Sequence, residues 1–266
     1  MAITNSVFDF LQSNSKLITK KNILMIWRQS NYLTQNYIKQ YFNTTKVDSH
    51  SEFIWKYFKC NKIESVDFSD YEKPTFTHDM NVKIDNKYHN TFDVIYDGWS
   101  TEHVFNVPIA FSNYMSMLKK WGTYIWVLPW NNLCNHGFYQ FSPDFFYRLF
   151  SLENWFKTKV FVKIKNKWYL IKDLKDFPYP VHFNLSFWKK EANLFIVAKK
   201  INNNKKIFTP YQTIYSSHLW EDKVSIKNKN TIFNVLNKIT PEFIKSIIRN
   251  YRNNKLILKK LKNPNF

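Results

Sequence analysis

Short apolar runs alternate with longer amphipathic stretches through the first 200 residues, and the alternation sets the expected elements. "NILMIW" (22–27) is flanked by lysines and polar residues, the pattern of a strand buried on both faces. "NYLTQNYIKQYF" and "SEFIWKYFK" read as helical material after it, and "IESVDFS" (63–69) as a second strand ending in Asp67. "HDMN" (78–81) would close a short third strand, and "FDVIYDG" (92–98) is the clearest strand of the chain. In "VPIAFSNYMSMLKK" the apolar spacing and an early proline predict a helix, ended by Trp121-Gly122 and followed by the strand "TYIWVLPW". "SPDFFYRLF" opens with a serine N-cap and a proline at the first helical position. "KVFVKIK", "KWYLIK" and "ANLFIVAKK" make the stretch up to residue 200 strand-rich.

Strand–helix alternation predicts an α/β, Rossmann-like, doubly wound and mostly parallel sheet. Ligands of such sheets bind beyond the carboxyl ends of the strands. The residues to watch are therefore Trp27, Arg28, Asp67, Asp79, Asp97, Gly98, Trp99 and Trp130. Beyond residue 200 the texture changes. Residues 201–266 carry 11 lysines and 2 arginines against 3 acids, a net of +10 out of +19 for the chain. They read as a basic, mostly helical extension (201–266) on a domain of residues 1–200. That extension is either a solvated helix face or a patch for an anionic partner, a nucleic acid or a membrane surface.

Composition narrows the chemistry. Glycine occurs only at Gly98, Gly122 and Gly137, which leaves no room for a Gly-rich phosphate loop. Abundant Asn, Lys, Ile, Phe and Tyr point to an AT-rich gene, and that bias can raise the lysine count without a function. Cys60 and Cys134 are too few and too far apart for a metal cluster or a disulfide framework, so the reading names no metal ligands and places the chain in a reducing cytoplasm. The N-terminus lacks the pattern of a signal peptide, and no apolar run approaches the roughly 20 residues of a membrane span. Nucleophile elbow, P-loop and zinc-helix motifs are missing. What remains is a set of strand-end acids and two histidine motifs, "TEHVFN" and "NHGFYQFSP".

Those motifs, with "YDGWSTEHVFNVPIAFSNYMSMLKKWGTYIWVLPWN" and "HGFYQFSPDFFYRLF", resemble class I S-adenosylmethionine-dependent methyltransferases. The resemblance is to a branch whose fourth-strand loop reads roughly D-x-G-T-x-E-H-V-F-N, and it covers about residues 22–200. It implies S-adenosylmethionine as cofactor and a small molecule or saccharide as methyl acceptor. By the same resemblance Asp67 would take the ribose hydroxyls, Asp79 would lie by the adenine, and Asp97 and Gly98 would border the methionine part. Glu102 and His103 would open the next helix, with Trp27, Arg28 and Trp99 lining the cofactor loops and Arg28 able to meet the cofactor carboxylate. Asn131, His136 and Tyr139 would face the acceptor, with His136 or His103 as general base.

Three departures stand beside the match. Trp27, Trp99 and Trp121 occupy places where that branch carries glycine, a residue that reaches positive φ and brings no side chain to a ligand. The 40 residues from Trp27 to Asp67 also exceed the roughly 20 of a compact dinucleotide unit. Three functions stay open: an active methyltransferase, a methyltransferase-like partner or scaffold without catalysis, and an RNA-binding protein or RNA methyltransferase. For single residues the plainer roles also stay open: His103 as a helix cap, His78 as a structural residue, Arg28 as an exposed loop residue.

Overall fold

A computed structural model describes residues 2–164, 166–176, 192–203, 208–216 and 257–266. One nine-stranded sheet organises them. It is built from β2 (Asn22–Ile26), β4 (Lys62–Asp67), β5 (Phe76–Thr77), β6 (Phe92–Gly98), β7 (Leu118–Asn131), β8 (Phe156–Ile164), β9 (Lys167–Ile171), β10 (Ala192–Lys200) and β11 (Leu258–Leu261), in the spatial order β11-β9-β8-β10-β7-β6-β2-β4-β5. The pairings from β5 to β7 are all parallel. β10 then runs antiparallel between β7 and β8, and β9 and β11 continue the antiparallel edge. A separate parallel pair joins β1 (Ala2–Thr4) to β3 (Ser30–Tyr32).

Successive residues of the central strands feed two different cores, as the period-2 geometry of a strand requires. Ile23, Met25, Val94, Tyr96, Ile125 and Val127 face one cluster, covered by α1 (Asn5–Ser13) and α4 (Glu52–Tyr57). Leu24, Ile26, Ile95, Tyr124, Trp126 and Leu128 face the other, covered by α5 (Val107–Met117) and α6 (Pro143–Leu149). Helices thus lie on both faces of a sheet that is parallel from β7 to its β5 edge: a doubly wound α/β fold.

Several boundaries differ from the sequence expectation, each for a physical reason. The third strand is Phe76–Thr77, and His78–Asn81 lies in the loop after it, where Asp79 accepts from the backbone and side-chain nitrogens of Asn81 at 2.8 Å each. The helix expected to run to Trp121-Gly122 stops at Met117, and Leu118 already pairs with Phe92. β7 then bulges: Thr123 pairs with Val94, so residues 119–122 stand against Asp93 alone, and Trp121 takes φ 67 within the bulge. The interval from Trp27 to Asp67 is filled by β3, α3 (Gln35–Phe42) and α4, which is the insertion its length demands. Ser142 caps α6 as expected, accepting from Asp144 N at 3.3 Å.

Of the basic extension, residues 204–207 and 217–256 lie outside the described residues, and with them most of the expected helical stretch. Leu258–Leu261 is a strand, antiparallel to β9. The last residues fold back on α1, where Asn14 Nδ2 donates to Pro264 O (2.8 Å) and Phe266 N donates to Asn14 Oδ1 (2.9 Å). Among the described residues no helix is long and apolar enough to cross a membrane.

Candidate functional site

The carboxyl ends of the parallel strands converge, and most of the residues singled out above sit there. Trp27 follows β2 in a left-handed conformation, φ 59, and its backbone N extends the ladder to Val66 O at 2.7 Å. Trp99 follows β6 with φ 64 and bonds Val127 O at 2.9 Å. The three positions at which the resembling branch carries glycine therefore all keep a glycine-type backbone here, with indoles attached. A left-handed L-residue costs about 1–2 kcal/mol.

Asp97 is fully buried at the end of β6 and holds the loop rather than facing a cleft. Its carboxylate accepts from Ser100 N (2.9 Å), Thr101 N (3.3 Å), the Thr101 hydroxyl and Trp126 Nε1 (3.2 Å). Burial lifts its pKa to about 6 against the pull of those Thr101 and Ser100 donors. Ser100 Oγ donates to Ile26 O at 2.9 Å, tying the end of β6 to that of β2. Gly98 is needed between them, because a Cβ there would stand 2.6 Å from Gln29 Oε1 and 2.7 Å from the Tyr96 hydroxyl.

The other strand-end residues are committed in different ways. Arg28 Nε pairs with Glu52 Oε1 at 2.6 Å and its Nη1 donates to Glu72 O at 2.9 Å, while Glu72 Oε2 meets His50 Nε2 at 2.8 Å. The guanidinium is thus anchored between the insertion and the loop that follows β4. Asp67, half-buried, accepts from Phe68 N at 2.7 Å; burial raises its pKa, opposed by the backbone amides of Phe68, Ser69 and Arg28. Asp79 is occupied by Asn81, whose own Oδ1 accepts from Asn106 N at 2.8 Å.

Beyond Asp97 a short 3-10 turn, Thr101–His103, presents Glu102 and His103 to the loop that follows β7. Glu102 is 0% exposed, and neither carboxylate oxygen has a hydrogen-bond partner. Burial, then the Asp97 charge, push its pKa up to about 9, so it holds a proton at neutral pH. His136 Nε2 stands 3.4 Å from Glu102 Oε1, close but not aligned for a hydrogen bond. The loop carrying His136 is pinned from the same residue: Phe138 N donates to Glu102 O at 2.7 Å. Gly137, at φ 75, allows this approach, since a Cβ would come within 2.8 Å of that carbonyl oxygen. Tyr139 donates its hydroxyl to Phe105 O at 2.7 Å, which fixes the far side of the loop.

Four rings close over this pair of turns. Trp27 stacks on His103 (centroids 5.5 Å, interplanar 29°), His103 meets His136 edge-on (5.0 Å, 70°), and His136 meets Trp99 edge-on (5.1 Å, 76°). Trp27 comes from the end of β2 and His103 follows β6, so the stacked pair bridges the gap between neighbouring strands. Burial, then the charge of His136, lowers the pKa of His103, which favours a neutral imidazole.

The sequence brought His103, His136, Glu102, Trp27 and Trp99 forward, and the fold places all five in one cluster. It did not anticipate that Glu102, His103 and His136 together form a possible ligand set, since 33 residues separate His103 from His136. Nor did it give Trp126 a part in holding Asp97.

No protein-family model matches the sequence, and no curated protein matches it either. Solved structures do. The YcgJ protein of Bacillus subtilis aligns over 75% of this chain and all of its own, with 11% identity and a TM-score of 0.43. A candidate methyltransferase of Bacillus halodurans aligns over 74% and 100%, with 11% identity and a TM-score of 0.44. A candidate S-adenosylmethionine-dependent methyltransferase of Listeria monocytogenes aligns over 72% and 96%, with 11% identity and a TM-score of 0.37. The second and third of these carry a methyltransferase description. At such identities and scores they decide nothing about this chain, whose fold rests on its own strand order.

Proposed function

We propose that this chain is an S-adenosylmethionine-dependent methyltransferase scaffold whose cofactor mouth, in this sequence, is closed by Trp27 and Trp99. The acceptor in this reading is a small molecule or saccharide, approaching from the loop of His136 and Tyr139. The observation that carries the proposal is the pairing of glycine-type backbone at residues 27 and 99 with indoles that close over the strand ends. The backbone supports a close-approaching ligand; the side chains oppose one. In this reading Asp67, half-buried at the end of β4, would accept from the ribose hydroxyls of the cofactor. Trp27 stacked on His103 opposes it. What the remaining residues supply is a neutral imidazole at His103, suited to take a proton from an acceptor hydroxyl or amine.

The reading without catalysis is favoured by one specific feature, the four-ring closure itself. Isothermal titration with S-adenosylmethionine and its demethylated product separates the two. For the parent the expected result is weak or undetectable binding, and for a Trp27→Gly/Trp99→Gly variant it is binding in the micromolar range. A folded variant that binds neither compound removes the methyltransferase proposal; tight binding by the parent removes the closed mouth. The RNA reading depends on the basic residues of the extension, most of which lie outside the described residues.

A further inference from the structure

The geometry points to a divalent-metal site formed by Glu102, His103 and His136, with zinc as the ion that fits. Each residue offers one ligand atom, and the three atoms lie within 4.8 Å of one another. Two oxygens and a nitrogen of this set are buried without any hydrogen-bond partner: both carboxylate oxygens of Glu102, and Nε2 of His136. Buried polar atoms are ordinarily satisfied, and leaving them bare is costly. A cation shared by the three residues satisfies His136 Nε2 and one carboxylate oxygen of Glu102 in a single step.

The spacing agrees with that occupant. Two ligands each bonded at about 2.0–2.2 Å to one tetrahedral ion stand roughly 3.3–3.5 Å apart. Glu102 Oε1 and His136 Nε2 are 3.4 Å apart. His103 has to turn inward to complete the set; its ring is held by stacking on Trp27, a contact that permits such a turn. The donor types select the metal. Two imidazoles and one carboxylate suit zinc and its first-row neighbours, whereas calcium and magnesium take oxygen ligands. Three protein ligands also leave a fourth position open, the arrangement of a catalytic rather than a structural zinc.

The scaffold brings Glu102 and His136 together before any ion arrives. Glu102 and His103 are consecutive on a turn fixed through Asp97, and His136 arrives on a loop bonded to the Glu102 carbonyl by Phe138 N. Trp27 and Trp99 flank the imidazoles. The ion would polarise an acceptor oxygen bound at its open position, a role that takes the place of His103 as base in the proposed methyl transfer. The metal site nevertheless stands on its own residues, and its test uses no methyl donor.

Chelator-treated protein carrying Cys134→Ser, which removes an exposed thiol as a competing ligand, is titrated calorimetrically with zinc chloride. A parallel sample takes cobalt(II) for its visible absorption. One ion per chain is expected, with cobalt bands of a four-coordinate nitrogen–oxygen site. Glu102→Gln and His136→Asn should each weaken zinc binding at least tenfold, and zinc should raise the melting temperature of the parent background but not of these variants. Glu102→Gln keeps the shape of a protonated glutamate, and His136→Asn alters a partly exposed ring, so circular dichroism can establish that at least one of them is folded. A folded parent background that binds no zinc stoichiometrically, or a folded variant that binds it with unchanged affinity, overturns the site.

Discussion

Trp121 isolates the strain of a left-handed tryptophan from any question of ligand binding. It is 60% exposed in the bulge of β7, and its one described ring contact is Lys120 Nζ at 5.3 Å from the ring. Trp121→Gly relieves about 1–2 kcal/mol of backbone strain. Against that stand an unfolded-state entropy cost of about 0.4–1 kcal/mol and a surface cation–π contact of about 0.5–1 kcal/mol. The expected net change lies within about 1 kcal/mol of zero in either direction. Removing so large a side chain from a strand with ordinary φ would instead destabilise it, through glycine's entropy and lost packing. Urea unfolding compares the variant with the parent; a loss of more than about 1 kcal/mol would show that the indole packs to an extent its exposure does not suggest.

At the scale of elements, the end of β10 is coupled to the end of α5 through one buried cation. Lys200 Nζ donates to Met115 O at 2.7 Å and to Leu118 O at 2.6 Å, taking up carbonyls that the helix leaves open where it turns into β7. Burial lowers its pKa to about 8 from 10.5. Between those two values the unfolded chain holds a proton that the folded chain has released, so this lysine makes stability rise with pH across the window. Below pH 8 both states are charged and its contribution is flat. Cys60, raised by burial to about 12, and the buried tyrosines Tyr96, Tyr114 and Tyr124, also raised, act in the opposite sense as pH climbs. The comparison to make is therefore between parent and Lys200→Met at pH 7.5 and 9.5. The difference in stability between parent and variant should shift in favour of the parent at the higher pH; an unchanged difference would mean that Lys200 does not titrate in this window.

The same scale shows what could be read from the chain. β6 was legible to the residue because its apolar run is buried on both faces and ends in Asp97-Gly98. The cap of α6 was legible because Ser142-Pro143-Asp144 carries its own local chemistry. The junction of α5 and β7 was not, since "MSMLKKW" has an apolar pattern compatible with a continuing helix and only pairing with Phe92 turns Leu118 into a strand residue. At the site, the histidine motifs were visible as motifs. That Asp97 would be saturated by its own loop, and Glu102 left bare beside His136, depends on how two distant loops pack; spacing in one sequence does not encode it.

Over the whole molecule, two uses of tryptophan separate. Trp55, Trp126 and Trp168 are buried in the two cores, and Trp130 ends the central strand β7; none of these four has positive φ. Trp27, Trp99, Trp121 and Trp155 have φ between 59 and 67, and none of them is buried. Four of the eight described tryptophans thus occupy a conformation that suits glycine, in a chain with three glycines in 266 residues. The consequence belongs to translation. The codon UGA, a terminator in most translation systems, is read as tryptophan in some and as glycine in others. We predict that codons 27, 99, 121 and 155 of the gene are UGA, and that codons 55, 126 and 168 are UGG. Ribosomes reading UGA as glycine would then deliver a chain with its cores intact and its strand-end mouth open. Sequencing the gene, and peptide mass spectrometry of the protein from its own cells, decide the matter: UGG at the four left-handed positions, or tryptophan in those peptides, would refute it.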